Sequence, residues 1–506
     1  MNPKQHKVIT AISNFFKVLV LPLIKIFGVV SFLFSRLTRK EKLVFFILLS
    51  ILCVLIIFES LKIYYARTQL VPDFGGEYTE VIQGDAKYFS PILAKTDSER
   101  AISGLIYSSL IKIDEKNQPI SDLADSWQIS EDGLTYTFVL KQGVTFHGGQ
   151  AFSSDDIVAT VSAIQDEANK SPLREMWSGV VVNAIDEYTV SFVLPKQYGP
   201  FIYNCNFKVI SKEDVLSTLS ANYNGTGPYR FVNNITSDDG GLEVNLESYG
   251  GYYAGPPLIS KMKFIISSQP DVSEKRIKDL GVNAISSVEN VQVPNFLDFT
   301  FTAGRNLMLI PNIRKVPFQD EATRKKILTG EKVEGDIKIR FVFLDNETQK
   351  QKAKEVVSIL EKSGVKIESV ALSVHDYAES LKKKDYNLLL YGYDWSYDLD
   401  LYTFWHSSQL DKNNFSGYST KEDDIYLEDT RMILDGDERQ KRYNDFLNKI
   451  TGLSLVVDYG QKRYPLFISE SVKNVEVIKC GRPEDRFNDI ISWYINEKRV
   501  RKGDSE

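Results

Sequence analysis

Three cysteines and four histidines are all that 506 residues offer for soft-metal and redox chemistry. Cys53, Cys205 and Cys480 form no Cys-x-x-Cys pair, and His6, His147, His375 and His406 are scattered without a His-Glu-x-x-His spacing. That pattern encodes neither a local zinc site nor a thiol-disulfide motif. Gly-x-Ser-x-Gly and a phosphate-cradling glycine loop are also missing, which removes common hydrolase and nucleotide-binding signatures. We expect no enzyme, no cofactor and no metal. A basic aromatic patch is lacking too: residues 439–442 and 499–502 read as a solvated face and a tail, so no nucleic-acid partner is expected. Cys53 lies inside an apolar run, leaving only Cys205 and Cys480 to pair, and sequence separation leaves open whether they meet.

What is present is material for a packed core. With 43% hydrophobic and 25% charged residues, a chain of this length predicts two or more domains. The 12% aromatic fraction suits a β-containing fold and a cleft that binds by stacking, although ordinary core usage accounts for most of it.

Charge is divided unevenly. Residues 1–66 carry nine Lys/Arg against Glu41 and Glu59, a balance of +7, so the whole-chain −6 leaves −13 on residues 67–506. Residues 43–58 are apolar apart from Ser50, and the amphipathic extension to Tyr65 brings the run to the ~20 residues of a bilayer span. Eight of the nine cations precede it. The positive-inside tendency therefore predicts a basic cytoplasmic or interfacial segment over 1–42, a single-pass transmembrane anchor over 43–65, and everything beyond 66 outside the cell membrane, extracellular or periplasmic. A cleaved signal peptide is disfavoured because the run is long, starts late and has no A-x-A near Ser60 and Ala66. Residues 9–37 are apolar but broken by Lys17, Pro22, Lys25 and Gly28, which favours an interfacial amphipathic helix over a second span.

The most informative stretch is 121–158, SDLADSWQISEDGLTYTFVLKQGVTFHGGQAFSSDDIV. Residues 127–130 and 135–140 are β-favouring runs around the turn Glu131-Asp132-Gly133, which is a hairpin. His147-Gly148-Gly149 is a second turn, where a turn hydrogen bond for His147 is favoured over metal ligation. Ser153 and Asp156 then form a capping box opening a helix with Ile157, Val158 and Val161 on its apolar face. Ahead of it, 77–84 reads as a strand, 98–110 as a helix and 111–113 as a strand; behind it, 180–182 and 189–194 flank a turn. From 337 onward strands (337–343, 365–370, 386–392) alternate with helices (349–363, and one from Val374), which predicts a parallel sheet with crossover helices.

The order of residues in 121–158 resembles the family 5 extracellular solute-binding proteins of ABC transporters, the peptide- and nickel-binding group. Gly75-Gly76-Glu77, 105–114, Gly225-Thr226-Gly227-Pro228-Tyr229, 252–266, Asn414 to Tyr418 (NFSGY) and 487–494 are similar to successive family motifs, together covering roughly 75–496. The resemblance implies an α/β, two-lobed periplasmic-binding-protein-like fold (type II, large-lobe variant) behind the N-terminal transmembrane helix. Lobe one would comprise 75–305 and 466–500, and lobe two 306–465. One departure stands out: relatives insert several dozen helical residues after a segment like 307–327, where this chain has only 328–336 before the next strand, a trimmed lobe two.

The family's Gly-Trp-x-x-Asp loop, whose carboxylate pairs with a peptide's α-ammonium, resembles Gly392-Tyr393-Asp394-Trp395-Ser396-Tyr397-Asp398, at the C-terminal end of an apolar strand where ligands of such sheets sit. Ser396 occupies the position of that Asp, and Asp394 or Asp398 can take over its role. The bland reading, loop acids in solvent and aromatics in the core, remains beside it. Tyr393, Asp394, Trp395, Ser396 and Asp398 are thus the candidate ligand-binding residues. The implied function is capture of a small solute, most plausibly an oligopeptide, for an ABC permease and ATPase complex. The alternative is an anchored interaction or sensor protein that keeps the fold without transport.

Overall fold

The computed structural model describes residues 36–215, 223–236, 241–289, 291–394, 397–476 and 481–503, and the architecture is that of these residues. They divide into two compact units, one of residues up to Val71 with Glu497 onward, the other Pro72–Asn496.

In the first unit the helix Arg39–Arg67 is closed by a capping box between Thr38 and Glu41. It is 29 residues long and none of them is buried among the described residues. Length and composition allow it to cross a membrane. The chain continues as the strand Thr68–Asp73, which pairs with Asn496–Arg501. Lys502 N–H donates to Arg67 O (2.9 Å), and the Arg499 guanidinium bonds Thr68 Oγ1 (3.2 Å) while lying over the Tyr65 ring. The interfacial helix expected over 9–37 lies outside the described residues as far as residue 35.

In the second unit the strand Glu77–Gln83 is buried over its five inner residues, as a strand covered on both faces should be. It is the middle of a seven-stranded sheet, ordered Phe296–Asp298, Leu466–Ser469, Ala284–Ser286, Glu77–Gln83, Lys261–Ser267, Leu242–Ser248, Tyr229–Thr236, in which its two neighbours run parallel to it. Tyr78 and Ile82 face the main core, whereas Val81 faces a smaller one with Ile277 and Ile285. The expected hairpin forms, Ala124–Ile129 against Thr135–Leu140, and is extended by Thr189–Val193 and Val181–Asp186 into a four-stranded antiparallel sheet. The helix Ser154–Gln165, capped as expected by Ser153 and Asp156, packs on it.

A second sheet of five strands, ordered Lys366–Leu372, Lys338–Leu344, Leu388–Asp394, Phe301–Pro311, Val457–Tyr464, has its own apolar cores drawn from residues between Met308 and Tyr459. The three strands expected from residue 337 onward are parallel, as predicted, and two further antiparallel strands join them. Lys338–Leu344 runs parallel to both Lys366–Leu372 and Leu388–Asp394, but Phe301–Pro311 and Val457–Tyr464 are antiparallel. These two strands connect directly to the first sheet, one entering from it and the other returning to it. Leu297 faces Ile468 in one sheet and Phe301 faces Tyr464 in the other, so two adjacent extended segments carry the chain across. The helix expected over 98–110 is also shorter, Asp97–Ile106, because Ser109 turns away to bridge Lys208. After the helix Glu321–Thr329, residues 330–337 lead straight into Lys338–Leu344.

The C-terminal segment is fastened by a buried ion pair, Arg486 Nη2 to Glu80 Oε1 at 2.8 Å, with Tyr78 donating to the other carboxylate oxygen at 2.9 Å. Replacing Arg486 by Met strands Glu80 without its cation. We expect a loss of about 3–5 kcal/mol in folding stability, read as a lowered urea midpoint and partly recovered in the E80Q/R486M double variant; a loss below ~1 kcal/mol would show that the pair does not carry this load.

Candidate functional site

The helix Asp97–Ile106 begins with a capping box in which Thr96 and Glu99 exchange bonds. Burial pushes the Glu99 carboxyl up, but backbone N–H groups of Lys95, Thr96, Tyr88 and Lys87 outweigh it and hold it below its ordinary range. At the other end, the glycines of Gly225-Thr226-Gly227 lie directly on the helix: a Cβ on Gly225 would stand 2.0 Å from Ile106 O. Gly227 N–H donates to Ile106 O, and His147 N–H to Gly225 O, both at 2.8 Å. The His147 ring completes the junction, with Nε2 bonding Gly227 O at 3.0 Å and Nδ1 accepting from Gly225 N–H at 3.4 Å. Nε2 is therefore the protonated nitrogen of a neutral ring, and burial lowers its pKa to about 4. The turn histidine and the glycine motif thus serve one joint.

Beside this joint lies a cavity of about 120 Å3. Leu173, Met176, Trp177 and Phe207 form an apolar wall; Tyr107, Tyr203 and Tyr252 are partly polar; and Arg100, Lys112, Lys208 and Arg482 face Asp122, Glu484 and Asp485, a formal balance of +1. Most of these charges are committed. Arg100 bonds Asp97 (2.6 Å) and Glu484 (3.2 Å). Asp122 accepts Ser109 N–H (3.0 Å) and the Tyr253 hydroxyl and lies 3.6 Å from Lys112 Nζ. Burial opposes the Lys112 charge, yet Asp122 and Tyr252 hold its pKa above the usual lysine range. Burial, then the neighbouring Glu484, push the Asp485 carboxyl up.

Tyr397 is the cavity's sole lining residue from between 302 and 463 among the described residues. It is likewise the one member of the main apolar core that comes from that segment. Its hydroxyl donates to Asp485 Oδ1 (2.8 Å) and accepts from Asn206 Nδ2 (3.0 Å), Arg482 lies over its ring, and Tyr203 stacks on it. A wider groove of about 870 Å3 shares Met176 and Asn204 with this cavity and is lined from both segments. There Asp400 accepts from Tyr198 (3.3 Å) and Tyr443 (3.2 Å) and pairs with Arg431 (2.6 Å), whose guanidinium lies over Tyr198 and Tyr402. Gly199 N–H donates to Arg431 O at 2.8 Å, and a Cβ on Gly199 would stand 1.9 Å from Ile433 O.

The candidate loop residues are dispersed by the fold. Tyr393 is buried between Tyr391 and Phe404, lining a small apolar void with Met308, Ile310 and Trp405. Asp394 ends its strand opposite Arg305; Trp395 and Ser396 lie outside the described residues. Asp398, the other acid able to take over the ammonium-binding role, is buried against Arg439, a guanidinium from the helix Gly436–Gly452, with Nε 2.7 Å from Oδ2. Cys205 is buried and unpaired, and Cys480 lies outside the described residues. Sequence reasoning passed over Tyr397 within the loop it had found, and over Lys112, Asp122, Lys208 and residues 482–485. One local signal was available: in Ile111-Lys112-Ile113 the two isoleucines are buried, so the lysine between them must face the other side.

The neutral His147 gives a pH signature. Between pH 6.5 and about 4 the unfolded chain protonates this histidine while the folded one does not, so the stability it contributes is present above pH 6.5 and is lost as pH falls through that window. We expect the fall in Tm between those pH values to be shallower in His147→Gln than in the parent; parallel curves would contradict the assignment.

Residues 118–328 match the profile of the bacterial extracellular solute-binding proteins, family 5 Middle. The oligopeptide-binding protein AppA of Bacillus subtilis (strain 168) is 22% identical over an alignment covering 90% of this chain and 99% of that protein. Among solved structures, the ABC transporter substrate binding protein CtaP of Listeria monocytogenes matches with a TM-score of 0.70 at 22% identity, over 84% of this chain and 100% of its own. B. subtilis AppA in complex with a nonapeptide matches at 0.66 and 18% identity, over 84% and 100%. At these identities the structural likeness establishes the fold, the mixed α/β two-lobed fold of periplasmic binding proteins. Residues 118–328 thus carry the middle segment of the bacterial extracellular solute-binding proteins, family 5, within a chain that has the fold of periplasmic binding proteins.

Proposed function

We propose that this chain is a membrane-anchored extracellular solute-binding protein that captures an oligopeptide between two lobes and hands it, without chemistry, to an ABC permease and ATPase complex. Residues 75–305 with 466–500 form one lobe and 306–465 the other, trimmed one. The observation that carries the reading is Tyr397, a side chain of the second lobe seated among charged and aromatic groups of the first. A group bonded across a seam rewards the closed state only, which is how lobe closure couples to ligand binding. The two extended crossings near residues 298–301 and 464–466 are the hinge.

Within the loop 393–398, Tyr397 already reaches the inner cavity. With Asp398 held by Arg439, we assign the ligand's α-ammonium to Asp394. The adjoining groove of about 870 Å3 has room for residues that extend beyond the inner cavity. The helix Arg39–Arg67 is the anchor, with the N-terminus in the cytoplasm; protease added to intact cells should remove the binding domain, and protection until lysis would reverse this orientation.

A thermal-shift screen of the full chain against peptides tests the function. A ligand at ~100 times its Kd stabilises the folded state by about 2.7 kcal/mol, visible as a raised Tm. Tyr397→Ala and Asp394→Asn should each reduce the shift. If a broad peptide pool in large excess leaves Tm unmoved, transport of peptides is abandoned in favour of an anchored interaction protein.

A further inference from the structure

Among the charged side chains that line the inner cavity, Lys208 stands apart. Lys208 lies on the cavity wall with Cε packed over Gly104, and its ammonium makes neither an ion pair nor a hydrogen bond among the described residues. The nearby carboxylates are already engaged: Asp122 by Ser109, Tyr253 and Lys112, Glu484 by Arg100, and Asp485 by the Tyr397 hydroxyl and Arg482 N–H. Lys208 itself is fixed at its backbone by the bridge to Ser109 and by Val209 N–H donating to Ser108 O. An ammonium held in place with no partner, beside an apolar wall, is prepared for a charge that arrives with the ligand.

We propose that Lys208 receives a carboxylate of the bound peptide, so that this site takes peptides presenting a free carboxylate in the inner cavity. The inference rests on the peptide-capture reading. Several features narrow the chemistry. The single ammonium left without a partner suits one carboxylate. Leu173, Met176 and Trp177 beside it offer apolar surface to an adjoining side chain. Burial disfavours the Lys208 charge in the empty cavity, so a carboxylate arriving there also relieves that cost. The carboxylate could come from the peptide's C-terminus or from an acidic side chain, and the two sources are separable by synthesis.

The test is affinity of the full-length chain in detergent for three tetrapeptide pools: free acids without Asp or Glu, the same sequences as C-terminal amides, and amides with one fixed Asp. We expect the parent to bind the free acids at least about tenfold more tightly than the plain amides. Recovery by the Asp-containing amides would identify the side chain as the source; no recovery would identify the C-terminus. In Lys208→Met and Lys208→Gln the preference should collapse towards one while the ligand-free Tm stays at or above the parent value, since an unpaired ammonium has been removed. Equal binding of acids and amides by the parent, or a preference that survives in both variants, overturns the proposal and leaves peptide capture standing. Absence of binding by every pool overturns both.

Discussion

The buried pair between Glu80 and Arg486 is the constraint on which the site depends. Glu80 belongs to the middle strand of the seven-stranded sheet and Arg486 to a segment 406 residues later, so the pair ties together the two ends of the second unit. Two charges so deeply enclosed make a net gain only when their geometry and hydrogen bonds are good, and the Tyr78 hydroxyl supplies one further bond to Glu80. Because Arg482, Glu484 and Asp485 precede Arg486 within the same short segment, fastening Arg486 also sets where the cavity's charged floor stands.

From that floor the logic of the cleft is electrostatic. Arg100 and Lys112 are paired with carboxylates while Lys208 has no partner among the described residues, and the Tyr397 hydroxyl joins Asp485 to Asn206. The second seam, at Tyr198, Asp400 and Arg431, contains a bidentate ion pair and a backbone bond through Gly199. Under the proposed lobe closure, bonds of this kind would define a discrete closed arrangement, and the two extended crossings between the sheets would bend at low cost compared with repacking either core.

Local structure was largely legible in the amino-acid order. The hairpin at 124–140, the Ser153–Asp156 capping box, the turn histidine and the strand-helix alternation after 337 each depend on residues close in sequence, where turn chemistry, capping and periodicity act directly. The antiparallel strands Phe301–Pro311 and Val457–Tyr464 were not legible as members of this sheet, because their pairing follows from the route of the chain between the two sheets, which periodicity does not record. The pairing of Asp398 was not legible for a similar reason: its partner, Arg439, is 41 residues away on another element.

The sequence by itself determined that a long apolar helix follows a basic segment, that an α/β chain of family 5 character follows it, and where individual turns and caps fall. Those properties are written in composition and in neighbours a few residues apart. Only the tertiary structure decided which charges meet in the cavity, that Tyr397 rather than Tyr393 reaches it, and that Lys208 is left over when the others have paired. Such outcomes depend on distances between residues 97–122, 203–208, 397 and 482–485, and a Coulomb interaction is set by separation in space and by burial, neither of which is a function of separation along the chain.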